Sequence, residues 1–296
     1  MSFVKRVIEV TLTLGTGDFG NGLGSSVTLS GYRVRCDCQI HGGDAGAAVQ
    51  LRISGVTLPL INQLTCLGQI LGQYKGGNTV RVAVGNSGSA LTTIFTGSII
   101  TAWGDFASPP DSALNITAIA YLWHAVLPVN ASSFPGTTSI NTIFQAIVAG
   151  MNNAVPSLNL TYSNPQNIAT TLTNMYLPGS GLDQIRECAA AAGVNYKIEL
   201  GVLTIWPVNG FIPNIGLIPI ISPSNGLVSY PTFSQQGVDI KTVFLPNLSQ
   251  GNRFTVTDSA LTLANNTWTI ASAVHTLESE TPGGAWFTVL KGIWVG

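Results

Sequence analysis

Apolar and polar positions alternate with a period of two through much of this chain. The cleanest run is Val27 to His41, where Tyr32, Val34, Cys36, Cys38 and Ile40 fall on one side and Arg33, Arg35, Asp37 and Gln39 on the other. Successive strand side chains point to opposite faces, so the run predicts a strand with one buried face and one wet or partner-facing face. Val4 to Leu14 repeats the pattern through Ile8, Val10, Leu12 and Leu14, and Val49, Leu51 and Ile53 continue it opposite Gln50 and Arg52. Further strands are expected over Thr79 to Val84, Leu91 to Trp103 and Leu114 to Val126. Pro59 stands at a first helical position, and Leu60, Ile61, Leu64 and Leu67 recur at helical spacing. A short helix from Leu58 to Leu67 should therefore cover this sheet.

After Pro128 the period changes. Ser139 to Met151 is amphipathic, with Ile140, Ile143, Phe144, Ile147 and Met151 on one face and Thr138 as the expected N-cap. Leu158 to Tyr162 reads as a short strand. Ser180-Gly-Leu-Asp183 is a capping box with Asp in the usual Glu/Gln place, opening a helix through Ala192 with Leu182, Ile185, Ala189 and Ala192 inward. Gly193 should close that helix in the left-handed conformation. Val194 to Leu200 and Val202 to Trp206 then form a hairpin around Gly201.

Strands return after Val208: Leu217 to Ile221, Val238 to Phe244, Arg253 to Asp258, and a C-terminal pair, Thr267 to Leu277 and Ala285 to Val295. The turn of that pair is Pro282-Gly283-Gly284, where Pro presets φ and Gly-Gly permits positive φ. A hairpin this apolar must be buried in its own domain or against another chain. The expected fold is mainly β with an α+β insert: a β-domain over 1–126, the insert over 127–208 and a second β-domain over 209–296.

Composition sharpens this picture. Charged residues make up only 8% of the 296 positions, against ~25% in ordinary soluble proteins. So little charge favours a subunit with much of its surface buried in an assembly. A net charge of −1 with scattered Lys and Arg argues against a nucleic-acid binder. The start, MSFVKRVIEV, lacks the apolar core of a signal peptide. No stretch approaches the ~18 apolar residues of a membrane helix.

Candidate chemistry is thin. Gly15-Thr-Gly-Asp-Phe-Gly20 matches GxGxxG after a strand, but turn residues and another strand follow where a dinucleotide site needs a helix. The better reading is a mobile loop at the end of a β-domain, of the kind that often orders only against a partner. Cys36, Cys38, Cys66 and Cys188 lack the paired clusters of a zinc site and read as buried apolar residues in a reducing compartment. Glu278 and Glu280 share a face of the predicted strand at ~7 Å, with His275 opposite. Without a cleft between two elements they do not make a glycosidase pair. His41 and His124 read as structural or surface residues. The tryptophans, 103, 123, 206, 268, 286 and 294, read as core or interface packing.

Four segments together resemble the baseplate hub proteins of tailed bacteriophages: HTLESETPGGAWFT (275–288), ISPSNGLVSYPTF (221–233), LPGSGLDQIRECAAAAGVNYKIELGVLTIWP (177–207) and LINQLTCLG (60–68). The resemblance covers most of the chain and rests on several segments in the same order. It implies a virion protein of the tail baseplate, assembled in the host cytoplasm. Hubs of this kind are homotrimers whose subunits each carry two tube-like β-domains, so that the trimer presents a pseudo-sixfold ring. That ring meets the hexameric tail tube or tube-adaptor proteins on one side and the trimeric spike on the other, with further baseplate subunits around it. The hub part of type VI secretion spikes has the same plan. DNA would pass through the lumen without specific binding. The resemblance implies no enzyme, no cofactor, no metal and no membrane insertion. Arg33, Arg35, Asp37 and Gln39 are the candidate inter-subunit surface, and Pro282, Gly283 and Gly284 a rigid, buried structural turn. Two other readings compete: a tail-associated cell-wall hydrolase using Glu278 or Glu280, and a glycan-binding adhesin-like module.

Overall fold

The computed structural model describes residues 4–20, 22–43, 46–65, 77–108, 111–120, 129–155, 159–214, 216–235 and 237–294. Strand β1 (Arg6–Thr13) pairs on one edge with β2 (Ser26–Leu29) and on the other with β5 (Thr79–Asn86). From β5 the sheet continues through β6 (Thr92–Ser108), β7 (Asp111–Ile119), β4 (Ala47–Ser54) and β3 (Arg33–Ile40), all antiparallel. β3 then pairs with β17 (Thr267–Ser279), from the far end of the chain. β17 leads on to β18 (Trp286–Ile293), β15 (Gly237–Val243) and β14 (Thr232–Ser234). β16 (Arg253–Val256) pairs with the start of β17, and β13 (Ile220–Ile221) runs parallel to β16. The N-terminal and C-terminal regions thus share one 13-stranded sheet.

Period-two patterning sets which face is buried. On β3, Val34, Cys36, Cys38 and Ile40 are buried while Arg33, Arg35 and Gln39 are exposed. Ile8, Val10 and Leu12 on β1, Val49, Leu51 and Ile53 on β4, and Ile270, Leu277 and Leu290 near the C-terminus join the same apolar core. Each fully buried aliphatic or aromatic side chain contributes about 1.5–3 kcal/mol relative to exposure. The sheet curls until β1 comes beside the end of β17. Lys5 Nζ lies 2.7 Å from Glu280 Oε1, and the Arg6 guanidinium sits over the Trp286 ring at 5.4 Å. Helix α1 (Leu58–Leu64) lays Leu60, Ile61 and Leu64 onto this core, and Thr65 ends it.

The insert has its own core. Helices α2 (Ile140–Ala154) and α3 (Gly181–Ala192) pack Ile143, Phe144, Ile147, Ile185 and Cys188 against Leu203 and Ile205. Those two leucine and isoleucine side chains belong to β12 (Val202–Pro207), which pairs with β11 (Val194–Glu199) and, in parallel, with β9 (Thr161–Ser163). The β11–β12 turn has Leu200 at φ +47 and Gly201 at φ +83, the two positive values a two-residue type I′ hairpin turn needs. Ser180 and Asp183 form the expected capping box, and Gly193 closes α3 at φ +64. The insert docks on the C-terminal half of the sheet. The buried Lys197 Nζ reaches Glu199 Oε2 at 2.9 Å, the Gln250 carbonyl at 3.0 Å and Ser249 Oγ.

Several expectations change. Val27 to His41 is two strands: Gly31 at φ +77 turns the chain, sending β2 to β1 and β3 to β4 and β17. Ser139 rather than Thr138 caps α2, accepting from Thr142 N at 3.2 Å, because the helix begins at Ile140 and Ser139 stands extended immediately before it. That strand, β8 (Ser132–Ser139), and its partner β10 (Thr171–Leu177) form an exposed two-stranded ribbon that the pattern did not predict. Only Ile220 and Ile221 of the Leu217 to Ile221 segment are strand. The expected continuations of α1 to Leu67 and of β7 to Val126 run into 66–76 and 121–128, outside the described residues.

His275 is buried on β17, its Nδ1 2.8 Å from Thr288 Oγ1 and its ring edge-on to Phe244. Burial pushes its pKa down from 6.5 to about 4, partly offset by the negative charge of Glu199. The unfolded chain therefore binds more protons between those two values, so stability falls as pH drops from 6.5 towards 4. The full loss is on the order of 3 kcal/mol. Thermal melts of wild type and His275→Gln across this range should show a flatter profile for the variant; parallel profiles would contradict the assignment. A Cβ at Gly97 would lie 2.7 Å from the Ile119 carbonyl oxygen and 2.6 Å from the Phe95 ring. Gly97→Ala is accordingly expected to cost about 1–3 kcal/mol in denaturant unfolding.

Candidate assembly surfaces

The solvent-facing side of the sheet is a polar ladder. Cross-strand register aligns Glu278, Arg35, Arg52, Asn115 and Trp103 in one row over β17, β3, β4, β7 and β6. Arg35 and Arg52 are direct neighbours, and like charges so placed repel. Carboxylates on both flanks offset this. Arg35 Nε bonds Asp37 Oδ2 at 2.9 Å and its Nη1 lies 3.8 Å from Glu278 Oε1. Arg52 Nη1 bonds Asp105 Oδ2 at 2.8 Å and Asn115 Oδ1 at 3.3 Å. The Asp37 hydrogen bond and charge raise the Arg35 pKa. The Asp105 carboxyl is held below its usual range by the Ala107 amide and then by Arg52.

Arg33, Arg35 and Gln39 are exposed as the strand pattern predicts, while Asp37 is half-buried and turned to Arg35. Arg35 and Asp37 therefore satisfy each other within the chain. Among the described residues Arg33 has no ion pair. Trp103 and Phe106, 48% and 49% exposed, extend the surface as an apolar end that strand alternation alone did not single out. The C-terminal hairpin is buried along its strands through His275, Leu277, Trp286 and Leu290. Its turn is not: Gly284 N donates to Thr281 O at 3.0 Å, Gly283 takes φ +67, and Pro282 and Gly283 are exposed. A tight turn needs only its flanking strands buried, so the expected buried tip is corrected to an exposed one.

The sheet path ends in β2 at one side and β14 at the other. Tyr230 and Phe233, just before and within β14, are 74% and 50% exposed. An open edge beside apolar side chains is a surface that other chains can cover.

Other candidate chemistry dissolves into structure. The Gly15 to Gly20 segment is the β1–β2 connection, with Asp18 Oδ1 accepting from Gly20 N at 2.8 Å and Phe19 buried in the core. Phe19 thus ties the loop to its own chain, where a partner-ordered loop was expected. Cys36, Cys38 and Cys188 are buried free thiols, and burial pushes Cys38 and Cys188 up to about 12. Cys66, Trp123 and His124 fall outside the described residues. Among the described residues no His, Cys, Asp and Glu side chains group as metal ligands. Glu280 stands beyond the end of β17 at φ +51 and pairs with Lys5, whereas Glu278 faces Arg35. The two carboxylates do not share a face.

The fold has counterparts among solved tail proteins. The chain matches the structure of a tail protein from Neisseria meningitidis MC58 with a TM-score of 0.60, 11% identity, and 97% and 96% of the two chains covered. It matches the 43 kDa tail protein of prophage MuSo2 from Shewanella oneidensis with a TM-score of 0.60, 9% identity and 96% of each chain. The E. coli c3393 protein is described as a type VI secretion component with structural similarity to T4 tail proteins gp27 and gp5. It matches with a TM-score of 0.57, 8% identity, and 88% and 73% of the chains. Such identities speak to the fold. No curated protein matches the sequence. Residues 50–283 match the family described as Baseplate hub gp41, and the chain belongs to that family.

Arg35→Glu would set a third carboxylate beside Asp37 and Glu278. It should lower the stability of the single chain by no more than about 1 kcal/mol, the Arg35 side chain being largely exposed. Arg33→Glu should leave melting unchanged. Equal melting of the two variants would show that the Arg35 pairs contribute nothing.

Proposed function

We propose that this baseplate hub protein is a non-enzymatic virion component that works as a homotrimer, adapting the hexameric tail tube to the trimeric central spike. The observation that carries the reading is the single sheet with two halves. Residues 1–126 and 209–296 act as two tube-like domains joined at β3 and β17, with 127–208 as a side domain. Three chains with two halves each supply six similar positions around an axis. The open edges at β2 and β14 are the places where neighbouring copies would meet, which would also cover strands otherwise prone to stray pairing. Spike, tube or tube-adaptor proteins and other baseplate subunits are the partners. The chain works in the tail baseplate after assembly in the host cytoplasm.

Charge supports the lumen of this reading. A channel that passes DNA must not hold phosphates. On the polar ladder Arg35 and Arg52 are matched by Asp37, Glu278 and Asp105, so on a lumen lined by this face Arg33 alone of the β3 and β4 arginines would stand unmatched.

Light scattering after size exclusion, over a concentration series, tests the trimer. The expected mass is three times 30.9 kDa. A chain that stays monomeric at every concentration, and also with tube and spike proteins added, would overturn the proposal.

A further inference from the structure

One concave site lies away from the polar ladder. It is a pocket of about 250 Å³ where the end of the insert meets the C-terminal half of the sheet, lined among others by Asn209, Phe211, Arg253, Asn266, Thr269 and Trp294. The Arg253 guanidinium lies over the Phe211 ring at 3.6 Å. That stacking fixes the plane of the cation and leaves its N–H edge for other partners. Among the described residues no ion pair includes Arg253, and its buried Nε has no hydrogen-bond acceptor. Among the described residues Arg253 shares the lack of a carboxylate partner with exposed cations such as Arg33, but its Nε is buried.

The frame around Arg253 is firmly built. Its backbone N–H donates to Asn214 Oδ1 at 2.9 Å, and its carbonyl accepts from Asn214 Nδ2 at 2.8 Å. The neighbouring Ile212 N donates to Gly251 O at 2.7 Å, and the Phe211 carbonyl accepts from Gln166 Nε2. Trp294, 58% exposed, stands edge-on to Trp268 and gives the pocket an apolar wall. Asn209 and Asn266 add neutral amides, and among the described residues no acidic side chain lines the site.

We propose that this pocket binds a carboxylate carried on a small apolar group. A single planar cation with a flat donor fork matches a monoanionic, planar carboxylate. A phosphate dianion would want a second positive charge or a nest of backbone amides, and among the described residues the lining offers neither a second cation nor a glycine. The apolar wall at Trp294 suits the group that bears the acid. The volume admits a side chain, a chain terminus or a small free acid, and is below the usual ~300–1,000 Å³ of drug-sized sites. The ligand is thus either a carboxylate of a partner protein or a free organic acid.

Calorimetric titration of the full chain with sodium benzoate, and with benzamide as its neutral isostere, tests this. Saturable benzoate binding is expected, with benzamide at least about tenfold weaker, a difference of ~1.4 kcal/mol. Arg253→Met and Trp294→Ala should each weaken benzoate by about tenfold. Trp294 is exposed, so its variant keeps the test valid even where Arg253→Met fails to fold. Acetyl-Ala-Phe with a free C-terminus and its amide separate the sources. A free-acid peptide that binds well above benzoate points to a protein carboxylate, and parity or less points to a free acid. Absence of saturable binding by both acids, equal binding of benzamide, or unchanged affinity in the folded variants would overturn the proposal. The outcome does not depend on the oligomeric state.

Discussion

The structure depends on how β17 divides its hydrogen bonds. One edge pairs with β18 from Thr269 to Leu277. The other edge is shared: Thr267 to Thr269 pair with β16, and Ala273 to Ser279 pair with β3. An irregularity between Ile270 and Ser272 falls between the two partners. An extra residue at such a bulge bends a strand and increases its twist, so one strand can serve two directions. Without this pairing the N-terminal and C-terminal regions would be separate sheets, each with one more open edge. With it they share a core in which Cys36 and Cys38 sit opposite Leu277 and His275.

The seam between the halves is reinforced by contacts of different physical kinds. On the polar face, Glu278 of β17 sits in register with Arg35 of β3. Where the sheet curls back, Lys5 meets Glu280 and Arg6 covers Trp286. The exposed ion pairs are individually weak. The buried strand pairing supplies the larger share, and the surface charges fix how the curled sheet meets itself. A rigid two-part sheet of this kind is what the proposed hub requires, because three flexible chains would not hold six positions at equal spacing.

Much of this was legible in the sequence. Alternation located nearly every strand of the large sheet, and capping chemistry at Ser180, Asp183 and Gly193 located α3 to the residue. The misses have local causes. In Val27 to His41 the apolar positions change phase, from Val27 and Leu29 to Tyr32 and Val34, and that slip at Gly31 was the sign of two strands. β8 was hidden by Pro135 and Gly136, and β10 by its mostly polar, exposed residues. Gly136 N is bound by Asn174 Oδ1 at 2.8 Å, with Asn174 at φ +54, a local device no periodicity reports. The outward face of β3 was foreseen as a surface, but its internal ion pairs were not, since Glu278 is brought to Arg35 only by long-range pairing. The Arg253 pocket left no trace for the same reason: Phe211, Arg253 and Trp294 converge from three separate segments.

Native-state amide hydrogen exchange tests the shared sheet most directly. If β17 unites the halves, the amides of 34–40 and 273–279 should exchange with the free energy of global unfolding, together with the cores of β4 and β18. Exchange of the β3–β17 amides well below that level, with the two halves opening separately, would contradict the account.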